Sequence, residues 1–198
     1  TSVNASEIVF DFTIPSFEGT GKSSHYLTIE NIEKTRKDAI KAAEKAAKEN
    51  KVFIIAELSS NHNGSLETAI ETIRAAKRTG ANAIKLQTYT ADTITLESKK
   101  ADFLLTQGTI WDGQYLHDLY QQAHTPWEWH KKLFEVAKEE ELICFSTPFD
   151  TTAVDLLEEL DNPIYKIASF EITDIPLIRY VASKGKPIII STGIGTKE

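Results

Sequence analysis

The sequence predicts an α/β fold of the (β/α)₈ TIM-barrel type, of which this chain supplies about five strand–helix units. From residue 52 onward, five apolar strand-like runs alternate with helix-like segments, which is typical of parallel strands joined by right-handed crossovers. Polar residues lie at or near the carboxyl end of all five runs, as in a barrel, where functional groups lie at the carboxyl ends of many strands. An open doubly wound sheet also fits, but no glycine-rich dinucleotide motif follows the first strand, where residues 61–64 read Asn-His-Asn-Gly.

The chain divides at about residue 50 into two regions. Residues 1–50 are predicted to be an N-terminal extension, with a strand over 8–14, a loop over 16–24 and a helix over 28–50. Residues 51–198 are predicted to be the partial barrel. Because a complete barrel has about eight strands, the fifth strand is expected to leave an open edge, which is a pairing hazard. We therefore expect the remaining units to come from elsewhere, or the chain to be a fragment.

The strands of the barrel region are short apolar runs, as expected for strands buried on both faces. They are Val52–Leu58, Ala83–Thr88, Leu142–Thr147, Ile164–Ala168 and Pro187–Ser191. Cap and stop residues predict where the helices between them begin and end. These residues are Ser65 and Gly80 for the first helix, Thr125 (the cap) with Pro126 and Glu128 for the second, Asp150 for the third, and Asp174 and Gly185 for the fourth. The stretch 89–124 is too long for a plain loop and is predicted to be functional or partly helical.

Composition excludes several classes of protein. The net charge is −7 and no Lys/Arg-rich block offsets it, which argues against general affinity for nucleic acid. There is no apolar run of membrane-spanning length and no signal-peptide pattern at the first residues, so we expect a cytoplasmic protein that does not bind membranes. The single cysteine, Cys144, is predicted to be a reduced thiol in the core.

Two lysines inside predicted strands are the strongest sign of function. Lys85 and Lys166 interrupt apolar runs, and a buried lysine without a partner is costly. Gln87 is two residues from Lys85 and therefore lies on the same face of its strand. Lysines at the ends of parallel strands, with serine and threonine hydroxyls nearby, predict a phosphate or carboxylate site. With Glu57 and Glu171 as groups that orient sugar hydroxyls or transfer protons, the residues indicate a lyase or transferase acting on a small phosphorylated anion.

Several motifs resemble the sialic acid synthase family, whose members condense phosphoenolpyruvate with a 2-acetamido sugar. These motifs lie at 53–64, 83–88, 146–149, 165–169 and 190–193. The segments 90–95, 111–113 and 120–130 are similar to the pseudaminic acid synthase branch of that family. The resemblance covers roughly residues 52–198, whereas residues 1–50 do not match it.

The resemblance implies a role for each candidate residue. Phosphoenolpyruvate would be held by Lys85, Thr147, Lys166, Ser169 and Ser191, and the reacting centre and sugar would be surrounded by Glu57, Gln87 and Glu171. The sugar would be a 2,4-diacetamido-2,4,6-trideoxy hexose giving pseudaminic acid, with N-acetylmannosamine and the legionaminic acid precursor as open alternatives. The family also implies a divalent metal, Mn or Mg, whose histidine ligands lie outside this chain, and a homo-oligomer.

Other interpretations of the same residues stay open. Lys85 and Lys166 could be lysines that extend to solvent without binding a ligand. The chain could be another barrel enzyme, either a Schiff-base aldolase or a different phosphoenolpyruvate-condensing enzyme, or a non-catalytic partial barrel that self-associates. Four histidines are predicted to have structural roles. His62 is expected in a turn, and three others are not spaced from carboxylates as metal ligands would be: His117, His124 and His130. Three tryptophans are expected to pack around 89–124, with a sugar-facing role for one of them as the alternative: Trp111, Trp127 and Trp129.

Overall fold

The computed structural model describes residues 7–12 and 23–28, for which only the backbone is considered, and residues 52–193 and 195. The helix predicted over 28–50 lies outside the described residues beyond residue 28. The predicted N-terminal strand is present as residues 7–12. Residues 23 and 24, predicted as loop, instead begin a second strand.

Seven strands form one sheet in the described part of the chain. They are β1 (Glu7–Phe12), β2 (Ser23–Thr28), β3 (Ile55–Glu57), β4 (Ala83–Thr88), β5 (Ile143–Pro148), β6 (Tyr165–Ile167) and β7 (Ile188–Ile190). Their order across the sheet is β1-β2-β7-β6-β5-β4-β3. The strands β3 to β7 are parallel neighbours in chain order, whereas β1 and β2 run antiparallel.

Helices connect the parallel strands. The α-helices are α1 (Leu66–Arg78), α2 (Ala91–Ile94), α3 (Leu116–Ala123), α4 (Trp127–Glu139), α5 (Thr151–Glu159) and α6 (Ile175–Ser183), and two 3₁₀ turns are η1 (Ala101–Phe103) and η2 (Phe170–Thr173). Thus the stretch 89–124 is partly helical, as predicted. No helix among the described residues is long and apolar enough to cross a membrane.

The helices between the parallel strands cover one face of the sheet. On that face Ile84 of β4 packs with residues of α1 and α4, and Tyr165 of β6 packs with residues of α5 and α6. The opposite face carries a separate apolar cluster that includes Phe145 of β5 and Ile189 of β7. A doubly wound sheet has helices on both faces. The single helical layer over five parallel strands therefore confirms the predicted partial barrel.

Three of the four predicted helix starts are confirmed. Each cap side chain accepts a hydrogen bond from a backbone N–H in the first turn: Ser65, Asp150 and Asp174. The prediction that Thr125 caps α4 is wrong. The helix begins at Trp127 with Pro126 as its N-cap, and the Thr125 hydroxyl donates to the carbonyl of Ser59 at 3.4 Å. Thr125 therefore ties the start of α4 to the loop after β3 instead of capping the helix.

The strand β2 occupies the edge that was expected to be open. Its backbone pairs antiparallel with β7, with Tyr26 opposite Ile190 and Thr28 opposite Ile188, and β1 pairs with its other side. The expectation of an open edge at the fifth parallel strand is therefore wrong for the described residues. Among the described strands, β3 forms the other edge and pairs with β4 alone.

A buried asparagine joins β5 to β6, where the ladder consists of one residue pair, Ser146 with Tyr165. The Asn162 side chain is fully buried. Its Oδ1 accepts from the N–H of Ser146 at 3.1 Å, and its Nδ2 donates to the carbonyl of Ile164 at 2.7 Å. The amide thus supplies backbone pairing that the short β6 strand does not.

Replacing Asn162 with alanine is expected to lower the free energy of unfolding by about 2–3 kcal/mol, because it leaves a buried N–H and a buried carbonyl without partners. The measurement is urea denaturation. Asn82→Ala is the matched control, since the Asn82 Oδ1 also accepts a backbone N–H, from Ile54 at 2.7 Å, but at an exposed position where water replaces the lost bond. Equal losses in the two variants would contradict the bridging role of Asn162.

A second buried polar chain starts at His130, which is fully buried in α4. Its Nδ1 lies 3.2 Å from the carbonyl of Pro126 and its Nε2 lies 2.9 Å from the hydroxyl of Thr88. The Thr88 hydroxyl also lies 2.7 Å from that of Ser146. Burial lowers the pKa of His130, which favours the neutral ring. This confirms the structural role predicted for His130.

Candidate active site

Strand register brings the predicted site residues onto the face opposite the helices. Glu57 of β3 pairs with Lys85 of β4, and Gln87 pairs with Thr147 of β5. Residues directly opposite in register share a face, and so do residues two apart in one strand. Lys166 is opposite Ile189 of the inner cluster and therefore belongs to the same face.

Lys85, in the middle of β4, forms an ion pair with Glu57, the last residue of β3. The Lys85 side chain is 7% exposed and that of Glu57 is 28% exposed. The other carboxylate oxygen of Glu57 accepts from the hydroxyl of Ser59 at 2.5 Å. A carboxylate held by two partners has a restricted orientation, so Glu57 fixes the position of the Lys85 ammonium.

Lys166 is buried, with 3% of its surface exposed, and has a different set of partners. Its Nζ donates to the hydroxyl of Ser191 at 2.6 Å and to the carbonyl of Ile167 at 2.6 Å. Burial and, to a smaller extent, the charge of Lys85 lower the pKa of Lys166 to about 7, although Glu57 and Glu171 oppose this change. Since a bound anion favours the charged form, Lys166 is suited to gain a full positive charge when an anion arrives.

Two buried oxygens at this site have no hydrogen-bond partner in the described chain. They are Oγ1 of Thr147 and Oε2 of Glu171. Burial raises the pKa of Glu171, which favours its protonated form. Buried polar atoms are normally paired, so both atoms are placed to receive a partner from a ligand.

Ser169 lies on the loop between β6 and η2, at the N-cap of that turn, without a capping hydrogen bond from its side chain. It approaches Gly193 so closely that a Cβ at Gly193 would be 3.5 Å from the Ser169 Cβ. The loops after β6 and β7 therefore meet at Ser169, near Lys166 of β6 and Ser191, which directly follows β7.

A cavity of about 660 Å³ opens beside these residues. It is lined by residues from the carboxyl ends of the strands and from the stretch 89–124, including Gln87, Tyr89, Trp111, Gln114, Tyr120 and Phe149. Of the predicted site residues, only Gln87 lines it. From its length, the stretch 89–124 was predicted to be functional or partly helical. Gln114 and Tyr120 were not predicted as site residues, because neither interrupts a regular pattern.

The stretch 89–124 is fixed to the barrel by polar contacts. The indole N–H of Trp127 donates to the carbonyl of Tyr89 at 3.2 Å. His117 Nε2 lies 2.8 Å from a carboxylate oxygen of Asp92, so its structural role includes a carboxylate partner that sequence spacing did not indicate. Trp111, predicted as a packing residue, is instead 46% exposed at the cavity.

His62 follows β3 and is almost fully buried. Its Nδ1 accepts from the N–H of Gly64 at 3.1 Å, and its ring meets that of Trp129 edge-on at 5.3 Å. Burial lowers the pKa of His62. These contacts confirm the predicted turn role.

The described residues contain no group of three His, Cys, Asp or Glu side chains that could hold a metal ion. Glu57, the carboxylate at the end of β3, is already paired with Lys85 and Ser59. The described part of the chain therefore does not by itself fit a divalent metal.

Comparison with known proteins identifies relatives of this chain. A family model described as the NeuB family matches residues 72–198. A pseudaminic acid synthase of Campylobacter jejuni subsp. jejuni serotype O:2 is 53% identical over 150 residues, covering 76% of this chain and 43% of that protein. A pseudaminic acid synthase of Helicobacter pylori is 53% identical over 143 residues, covering 72% of this chain and 42% of that protein.

Solved structures support the same relationship. The N-acetylneuraminic acid (sialic acid) synthetase of Leptospira borgpetersenii serovar Hardjo-bovis matches with a TM-score of 0.63 and 32% identity, covering 74% of this chain and 46% of that chain. The match thus spans less than half the length of these relatives. The family model nevertheless covers more than half of this chain, and we conclude that the chain belongs to the NeuB family.

Proposed function

We propose that this chain carries the phosphoenolpyruvate-binding part of a synthase that condenses phosphoenolpyruvate with an acetamido sugar. The sugar is a 2,4-diacetamido-2,4,6-trideoxy hexose, and the products are a nonulosonic acid such as pseudaminic acid and phosphate. The observation that carries the proposal is the placement of two buried lysines, Lys85 on β4 and Lys166 on β6, with Thr147 on the strand between them. The relatives named as pseudaminic acid synthases support this choice of reaction.

In the proposed complex, the two lysines bind the anionic groups of phosphoenolpyruvate. The phosphate and carboxylate together carry enough negative charge to protonate Lys166 fully, because an adjacent anion raises the pKa of an ammonium group. Thr147, Ser169 and Ser191 then supply hydroxyl donors. The unpartnered hydroxyl of Thr147 gains its missing hydrogen bond from the ligand.

The proposed reaction forms a carbon–carbon bond, adds water and releases phosphate. The methylene carbon of phosphoenolpyruvate attacks the open-chain aldehyde of the sugar, whose oxygen takes up a proton. Water adds to the neighbouring carbon of phosphoenolpyruvate, the bond from that carbon to the phosphate oxygen breaks, and the added oxygen loses its protons to leave a ketone and free phosphate. In this proposal Glu171, whose pKa is raised by burial, donates the proton, and Glu57 and Gln87 orient the reactants. A divalent metal, if used as in the family, needs ligands from outside the described residues.

The direct test is calorimetric titration of the folded chain with phosphoenolpyruvate. We expect one site per chain with micromolar to millimolar affinity, with pyruvate, which lacks the phosphate, binding more weakly. No detectable binding by folded protein would refute the proposed anion site. Detected binding would also argue against the alternative in which Lys85 and Lys166 extend to solvent without binding a ligand.

One observation favours a second candidate, a Schiff-base aldolase: the lowered pKa of Lys166 makes its neutral amine available as a nucleophile. Treating the chain with pyruvate and borohydride distinguishes the aldolase from the synthase. A covalent adduct on Lys166 would favour the aldolase, and its absence, with phosphoenolpyruvate bound, would favour the synthase. The mass of the protein in solution tests both the third alternative, a self-associating partial barrel, and the proposed homo-oligomer. A monomer would contradict both.

A further inference from the structure

The cavity beside the two lysines differs from the lysine site in its chemistry. Its polar lining is made of neutral side chains, with amides at Asn61, Asn63, Gln87, Gln114 and Gln122, and none of its described lining residues is Asp, Glu, Lys or Arg. The cavity also has aromatic walls, which include Tyr120 and Phe149. A volume of about 660 Å³ is within the usual range for small-molecule sites. These features suit a neutral, amide-bearing ligand better than a charged one.

Two residues of the lining have a buried side-chain atom without a hydrogen-bond partner in the described chain, Nε2 of His62 and Oε1 of Gln114. Gln114 is the one of the two that carries an amide. Its backbone is held on both sides. The carbonyl accepts from the N–H of Leu105 at 2.9 Å and the N–H donates to the carbonyl of Trp111 at 3.1 Å, next to a bridge between Leu104 and Tyr115. A fixed backbone with a buried, unpaired carbonyl oxygen leaves an acceptor for a donor that the ligand brings.

We propose that Gln114 is a specificity-determining residue that accepts a hydrogen bond from the N–H of an acetamido group on the sugar. An acetamido group supplies the N–H that Oε1 lacks and a methyl group that packs on an aromatic wall. An anionic group would bring only acceptors to Oε1, and nothing in the lining neutralises its charge. The inference rests on the proposed function, because it assigns the neutral cavity to the sugar and the lysine pair to phosphoenolpyruvate.

The test titrates the chain, saturated with phosphoenolpyruvate, with the diacetamido hexose and with two acetoxy analogues. Each analogue replaces one acetamido nitrogen by oxygen, which keeps the shape and removes one N–H. We expect the chain to bind one analogue about three- to tenfold more weakly than the parent sugar. In Gln114→Leu this preference should vanish, and Gln121→Leu, at an exposed position of α3 that does not line the cavity, should keep it.

The outcomes separate this inference from the proposed function. Unchanged discrimination in Gln114→Leu, or equal binding of all three sugars by the unmodified chain, would overturn the role of Gln114 while leaving the lysine site intact. Binding of phosphoenolpyruvate without any binding of sugar would overturn the assignment of the cavity. Failure to bind either ligand would refute the proposed function itself, and the inference with it.

Discussion

Replacing Lys166 with methionine is expected to weaken phosphoenolpyruvate binding roughly 30- to 1,000-fold, because removing one partner of a buried charge pair leaves the ligand anion uncompensated. Lys85 alone cannot compensate, since Glu57 already neutralises it. Calorimetry on both proteins measures the loss. Lys132→Met is the matched control, because Lys132 is about half exposed on α4 and should leave the affinity unchanged. Equal affinities for Lys166→Met and the control would contradict the proposed anion site.

The same substitution is expected to stabilise the ligand-free protein by about 1–3 kcal/mol at pH 7, because methionine fills the space without a buried charge. The effect depends on pH. The pKa of Lys166 is about 7 in the folded protein against 10.5 for an ordinary lysine, so between these values the unfolded chain binds more protons and the stability of the unmodified protein rises with pH. The advantage of methionine should therefore be largest below pH 7 and shrink towards pH 10.5. Urea denaturation across this range checks the trend.

Replacing Glu57 with alanine is expected to lower the free energy of unfolding by about 2–4 kcal/mol, because the Lys85 ammonium is left buried without its counter-charge. The lower end reflects the partial exposure of Glu57, which lets water replace some of the lost interaction. Chemical denaturation of Glu57→Ala, Lys85→Met and the double variant measures the coupling between the two side chains. The double variant should recover much of the stability lost in Glu57→Ala.

An exposed ion pair provides the comparison for this cycle. Arg74 and Glu71 are 2.6 Å apart on α1, and both side chains are substantially exposed. Glu71→Ala should change the free energy of unfolding by less than about 1 kcal/mol. If Glu57→Ala were no more destabilising than Glu71→Ala, Lys85 would be solvated in solution. The ion pair would then not stabilise the contact between β3 and β4.

The regular parts of the fold were predictable because burial imposes a pattern on them. The bounds predicted for β4 are those observed, since Ala83 to Thr88 lies between two paired strands. The first barrel strand is shorter than predicted. Val52 is 63% exposed, and the Ile54 N–H bonds to the Asn82 side chain instead of a strand. An apolar run alone does not show where the neighbouring strand stops.

The site was predictable in part for the same reason. A lysine inside a buried strand is visible in the sequence, and the structure brings Lys85, Gln87, Thr147 and Lys166 onto one face. Gln114 left no such signal, because an amide in an irregular segment is ordinary until its surroundings are known. The exposure of Trp111 was likewise unpredictable, since the path of 89–124 over the strand ends depends on contacts such as that between Trp127 and Tyr89.

The donor and the acceptor can be assigned for each hydrogen bond around His130. The carbonyl of Pro126 is only an acceptor, so His130 Nδ1 carries the proton and Nε2 accepts from the Thr88 hydroxyl, which in turn accepts from Ser146. A proton added to His130 would make Nε2 a donor and force both hydroxyls to rotate. The direction of the hydrogen bonds that run from α4 through β4 to β5 would then be reversed. The lowered pKa of His130 defers this reversal to acidic pH, where the packing of these three elements becomes sensitive to one proton.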